Sequence, residues 1–380
     1  MKKNNRVTIK YVLFFLLIAF TLMPNILNIS IGVLKLKPLY FIMIIFAGLL
    51  LRKNKILLPY HPIVYIIVFS VVVSLVCSIE FGLERTFFNY IIGLFLISVF
   101  KAFGKNIDNT HWILILRGVW ITLFTVIIIN NLLQIEYFKF YLNNLSWLDH
   151  PYHNTVVAGG ANLEATWVAI LAVSFLESKY KWIPVGMSTA LALFYGSRAA
   201  ILCIACVVFI FINFNPISNK KTKIMNIIST ILIVFIVLML GFQLGYFDRM
   251  LSRFNNIGNE AGSEGRLKIW SHIMDVIFSY PFGVGLGNAI TAMSKVTGLQ
   301  FGENNLHFLL AQMFVDIGVI GGFFYTALWL KFICVEVKNK FNSVFAIILG
   351  LYFIISFIQF SGGESFFFCI LGIYLNKRGK

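Results

Sequence analysis

Apolar runs of about eighteen residues or more recur along the whole chain, each long enough to cross a ~30 Å hydrocarbon core. About twelve candidate spans, some of them shorter, can be drawn over 11–30, 37–51, 62–79, 86–103, 112–135, 161–178, 181–196, 198–214, 224–246, 306–331, 343–360 and 363–376. Only 12% of the 380 residues are charged, whereas a soluble domain has about 25%, so the chain lacks the polar surface to face water all round. The expected fold is an all-α integral membrane protein, a single polytopic domain over 1–380.

The net charge of +16 raises the question of a nucleic-acid partner, which its distribution answers. Lys2, Lys3, Arg6 and Lys10 precede the first span; Arg52, Lys53 and Lys55, then Lys101 and Lys105, follow alternate spans. The same side continues with Lys179, Lys181, Lys220, Lys221, Lys223, Lys331, Lys338, Lys340, Lys377, Arg378 and Lys380. These are 20 of the 31 Lys and Arg, and the positive-inside rule places them in the cytoplasm. Both termini are then inside, and topology accounts for the charge without nucleic acid. The stretch Tyr11–Ile29 follows a basic start but has no small-x-small cleavage site, so it reads as a retained first span. Cys203 and Cys206 have CxxC spacing within an apolar run, and read as small packing residues.

Two connections are long, and both fall on the outer side: 136–160 and 247–305. Long loops of this kind are usually functional. In the second, Leu267, Trp270, Ile273, Met274, Ile277 and Phe278 recur at helical spacing opposite Lys268, Ser271, His272 and Asp275. This predicts an amphipathic helix on the outer leaflet, capped by Ser263 and ended by Tyr280-Pro281, between spans nine and ten. The turn Pro281–Asn288 has alternating glycines but no preceding strand. It suits close backbone approach rather than dinucleotide binding.

Residues 248–305 hold five bases and five acids, so individual arginines matter more than overall charge. Arg198, in the hairpin between two short spans, stands outside against the positive-inside bias. With Arg253 and Arg266 it forms a candidate pyrophosphate site, because arginine's planar fork suits bidentate phosphate binding. Arg266, expected in the first turn of the amphipathic helix, would gain from its free N–H groups. Snorkelling or local ion pairing is the structural alternative. His307, opening span ten, and Glu303 are candidate proton-transfer groups, with interfacial hydrogen bonding the alternative for His307. Asn304 and Asn305 beside them are candidate glycan contacts. So are Trp147, Asp149 and His153 in the first outer loop, where no third ligand is spaced for a metal. Asp316, nine residues beyond His307, is a buried carboxylate that invites a functional reading.

Four segments over about 190–325 resemble the O-antigen polymerase (Wzy-type) and ligase superfamily. They are Gly196-Ser197-Arg198-Ala199-Ala200, Arg253-Phe254 followed by Glu264–Trp270, Tyr280–Asn288, and His307 eleven residues before Gly318. The residue after His307 is Phe308 where the family pattern has Asn, a departure that bears on acceptor handling.

The resemblance implies a GT-C-like membrane glycosyltransferase with an external site, on the bacterial inner membrane. It would use undecaprenyl-pyrophosphate-linked oligosaccharide, with neither metal nor other cofactor, alongside a chain-length regulator as partner. It implies external arginines on the pyrophosphate and a histidine near the reacting centre. The expected activity is polymerisation of lipid-linked repeat units into O-antigen or a related surface polysaccharide. A ligase that moves the finished glycan to another acceptor is the nearest alternative. A lipid-linked oligosaccharide flippase is the alternative from another class.

Overall fold

The computed structural model describes residues 2–27, 29–31, 34–52, 58–134, 154–213, 261–339 and 341–378. The helices are α1 (Lys2–Leu22), α2 (Pro38–Arg52), α3 (Pro62–Phe81), α4 (Arg85–Phe103), α5 (Asn109–Leu133), α6 (Ala161–Leu171), α7 (Trp182–Phe194) and α8 (Arg198–Asn213). After the region outside the description come α9 (Ala261–Ser271), α10 (Ile273–Ser279), α11 (Ala289–Thr297), α12 (Leu309–Asp316), α13 (Gly318–Lys338), α14 (Val344–Ile355) and α15 (Ser365–Arg378).

Four helices, α3, α4, α5 and α13, have the length and composition to cross a membrane alone; α1, α2, α6, α7, α8, α14 and α15 supply shorter apolar stretches. These eleven follow the order of the predicted spans, and the remaining one, 224–246, lies outside the described residues. The helices start where local chemistry allows. His61 accepts from the Ile63 amide ahead of α3, with Pro62 at its first position, and Asp108 accepts from the His111 amide ahead of α5.

The bundle closes through aromatic packing. Phe14 of α1 stacks edge-on against Trp112 of α5 at 4.9 Å and lies 5.1 Å from Phe100 of α4. The α4–α15 contact is close because Gly93 lacks a side chain: a Cβ there would come within 2.5 Å of the Phe368 ring. A second apolar cluster joins α9–α12 through Ile269, Val276, Val284, Met293, Leu306 and Val315.

The helical fold also carries a short antiparallel hairpin, β1–β2, in which Ile29–Ile31 and Leu34–Leu36 pair. Two expectations change. The amphipathic segment is two helices, broken at His272, whose Nδ1 lies 2.9 Å from Asp275 Oδ2. Its apolar side partly faces protein: Ile269 and Val276 are buried in the second cluster, while Leu267, Met274 and Phe278 stay exposed. Finally, the predicted span 306–331 is split at Gly318 (φ 77°) into α12 and α13. The split has a clear cause. The carbonyls of Val315 and Asp316 accept from the amides of Val284 and Gly285, and the Val319 amide donates to Pro281. Backbone groups that would continue the helix are therefore taken by the glycine turn.

Candidate functional site

The glycine turn is the keystone of the outer region. Gly283, Gly285 and Gly287 all have positive φ, and a Cβ on Gly283 would lie 2.6 Å from the Asp316 carbonyl oxygen. Asp316 fastens this turn from below. Its Oδ2 accepts from the Gly287 amide at 3.1 Å, and its Oδ1 accepts from Gln312 Nε2 at 2.8 Å. Gln312 Oε1 in turn accepts from the Leu306 amide at 2.9 Å, and the Leu306 carbonyl accepts from the Trp270 indole at 2.8 Å. Fully buried and doubly satisfied, Asp316 is a structural anchor rather than a reacting group.

That relay sets the position of His307. The residue has φ 52°, an uncommon left-handed conformation for a side chain of this size, held by its amide donating to Asn305 Oδ1 at 2.8 Å. Its Nε2 lies 3.0 Å from Glu303 Oε2, and its Nδ1 is buried without a partner among the described residues. The hydrogen bond from His307 holds the Glu303 carboxyl below its ordinary value; burial opposes this, while the charges of His307 and of Arg266 nearby add to it. Glu303 accepts the hydrogen bond from the His307 ring at Nε2.

Arg266 is half-buried. One of its Nη1 protons goes to the Ile358 carbonyl at 3.3 Å, and its Nε is buried with no acceptor among the described residues. Burial lowers the affinity of this guanidinium for its proton; nearby Glu303 opposes the shift, and Arg198 adds to it. Arg198 and Arg266, far apart in sequence, thus share one electrostatic neighbourhood. Arg198 opens α8 after Gly196 (φ 58°), with Ser197 Oγ accepting from the Ala200 amide at 3.3 Å. Helices α7 and α8, with 13 and 16 residues, are about 20–24 Å long, so their joining turn stops short of a full ~30 Å crossing.

Arg266, His307, Asn304 and Asn305 all line one open cleft of about 840 Å³. Its other walls come from Lys37, Arg85, Thr86 and Asn89, from Val157–Leu163 and Trp167, and from Gln359–Phe366. Each of these segments lies in or borders a connection that the charge pattern puts outside. Glu364, also in the wall, is occupied by the Ser361 and Gly362 amides and the Tyr352 hydroxyl.

The structure therefore brings together Arg198, Arg266, Glu303 and His307, with Asn304 and Asn305 alongside. Arg253, Trp147, Asp149 and His153 lie outside the described residues. The predicted cap of the Arg266 helix is corrected: α9 includes Ser263, and Arg266 sits beyond its first turn, so free N–H groups cannot assist it. Within α5, Arg117 Nε donates to the Ser174 carbonyl at 2.9 Å. Sequence reasoning passed over Arg85 and Lys37, although both stand on predicted outer links. The bias that singled out Arg198 was legible there too.

Among known proteins, the family model described as O-antigen ligase matches residues 183–326. No curated protein matches the chain. The matched segment includes Arg198, Arg266, Glu303, His307 and the glycine turn. Residues 183–326 thus match an O-antigen ligase family model, within a chain whose apolar helices make it a multi-pass membrane protein.

Proposed function

We propose that the chain is a glycosyltransferase that polymerises undecaprenyl-pyrophosphate-linked repeat units into a surface polysaccharide. The proposed site lies on the outer face of the bacterial inner membrane, in a twelve-span, N-in/C-in arrangement. The observation that carries the reading is that Arg266 and His307 line one open cleft, with His307 paired to Glu303. Arginine held in this way is matched to a diphosphate, and the histidine to a hydroxyl proton.

In the reaction, a hydroxyl of the acceptor sugar attacks the anomeric carbon of the donor glycan. The new C–O bond forms as the bond to pyrophosphate breaks, and the electron pair leaves with undecaprenyl pyrophosphate. The configuration inverts. His307 takes the hydroxyl proton, and Glu303 stabilises the resulting imidazolium. Negative charge growing on the leaving group meets Arg266 and Arg198, whose positions are set before the reaction begins. The hydrogen bond between His307 and Glu303 and the depressed carboxylate support this division of roles.

A ligase would use the same donor chemistry on another acceptor, and chain-length ladders separate the two. Purified protein in lipid nanodiscs is given the cognate undecaprenyl-pyrophosphate repeat unit, and product size is followed by gel. A ladder with release of undecaprenyl pyrophosphate is expected. A single transfer to an added foreign acceptor, with no ladder, would replace the polymerase with the ligase; no transfer at all would favour a flippase.

A further inference from the structure

Arg85 is an exposed arginine with no hydrogen-bond or ion-pair partner among the described residues. It lines the same cleft as Arg266. Arg85 comes from α4, with Lys37 just ahead of α2, whereas Arg266 comes from α9, so the cleft draws its cations from separate elements.

The surroundings of Arg85 identify its ligand. Along one face of α4 the lining residues are Arg85, Asn89 and Ile92, spaced by four and three, with Thr86 and Phe88 beside them. The face passes from charged through polar to apolar as the helix proceeds. On α2, which packs against α4, the lining runs from Lys37 to Leu39 and Tyr40 in the same sense. Phe88 is 51% exposed and Tyr40 38%, so apolar surface is open beside the cations. Two cations above an open apolar slot match an anionic headgroup carried on a hydrocarbon chain. Asn162, Gln359, Ser361, Asn304 and Asn305 supply neutral hydrogen-bonding groups to the same cleft, suited to sugar hydroxyls.

We infer that Arg85 and Lys37, with Asn89 and the slot of Leu39, Tyr40, Phe88 and Ile92, form a second prenyl-pyrophosphate subsite. It takes the acceptor repeat unit, whose own bond to pyrophosphate stays intact while its far sugar receives the donor glycan. This rests on the polymerase reading, since only a polymerase needs both substrates lipid-linked.

The test counts bound ligand and needs no transfer chemistry. Full-length protein in phosphatidylcholine nanodiscs is titrated with undecaprenyl pyrophosphate, and separately with inorganic pyrophosphate, by native mass spectrometry. Wild type is expected to hold two undecaprenyl pyrophosphates, and Arg85→Gln and Arg266→Gln one each, with Arg85→Lys recovering the second. Inorganic pyrophosphate is expected to bind the Arg85 subsite at least tenfold more weakly, and Ile92→Asn to narrow that difference. One equivalent on wild type, or two on Arg85→Gln, overturns the subsite. Equal binding of the two ligands overturns its lipid slot. Two bound equivalents without a product ladder would retain the subsite and reject the polymerase. A ladder with an unchanged acceptor KM in Arg85→Gln would retain the polymerase and reject the subsite.

Discussion

The indole Nε1 of Trp270 donates to the Leu306 carbonyl across 2.8 Å, tying the helix that carries Arg266 to the loop that carries His307. Trp270 lies four residues after Arg266, one turn along the same helix, and Leu306 immediately precedes His307. The two candidate reacting groups are therefore held in register by a bond that neither makes.

Trp270→Phe keeps the ring and removes the donor. The loss of one neutral hydrogen bond costs about 1 kcal/mol, concentrated on the placement of His307. Transfer is expected to slow about fivefold in kcat, with the donor KM unchanged and normal membrane abundance. A change confined to KM would count against coupling through Leu306.

Arg198→Ala and Arg266→Ala are each expected to lower polymer yield at least about tenfold, roughly 1.4 kcal/mol, at equal membrane abundance. Arg266→Lys should recover little, because an ammonium cannot both hold the Ile358 carbonyl and present a planar fork. Wild-type yield from both alanine variants would remove the arginines from the mechanism.

Gly283 and Gly318 approach each other's backbones from opposite sides of the helix break. A Cβ on Gly318 would lie 2.5 Å from the Phe282 carbonyl carbon, and both glycines have positive φ. Alanine at either is expected to cost at least about 1–3 kcal/mol from backbone conformation alone, seen as reduced abundance and a lower Tm. Gly302→Ala, with open space around the position, serves as the control and should leave both unchanged.

Glu303 titrates below its ordinary 4.5 because His307 donates to it. A depressed carboxylate contributes stability that is fully present above its unfolded pKa and is lost as pH falls through the folded one. The Tm advantage of wild type over Glu303→Gln should therefore persist down to about pH 4.5 and shrink below it. An advantage that instead grew on acidification would reverse the assigned roles within the pair.

The membrane class and the order of the apolar helices were legible in the residues alone, because lipid constrains each span locally and by composition. The proposed outer placement of Arg198, Arg266 and His307 rests on counting basic links. The glycine spacing of Pro281–Asn288 announced a close backbone approach, but glycine says nothing of what approaches. Only the tertiary structure showed the partner to be the Asp316–Gly318 break, since the competing acceptors are carbonyls rather than side chains. Folding likewise decided that Asp316 anchors and that Arg266 sits beyond a first turn. It also brought Arg85 to the cleft of His307. Such convergence depends on how distant helices pack, and packing joins residues that no local spacing connects.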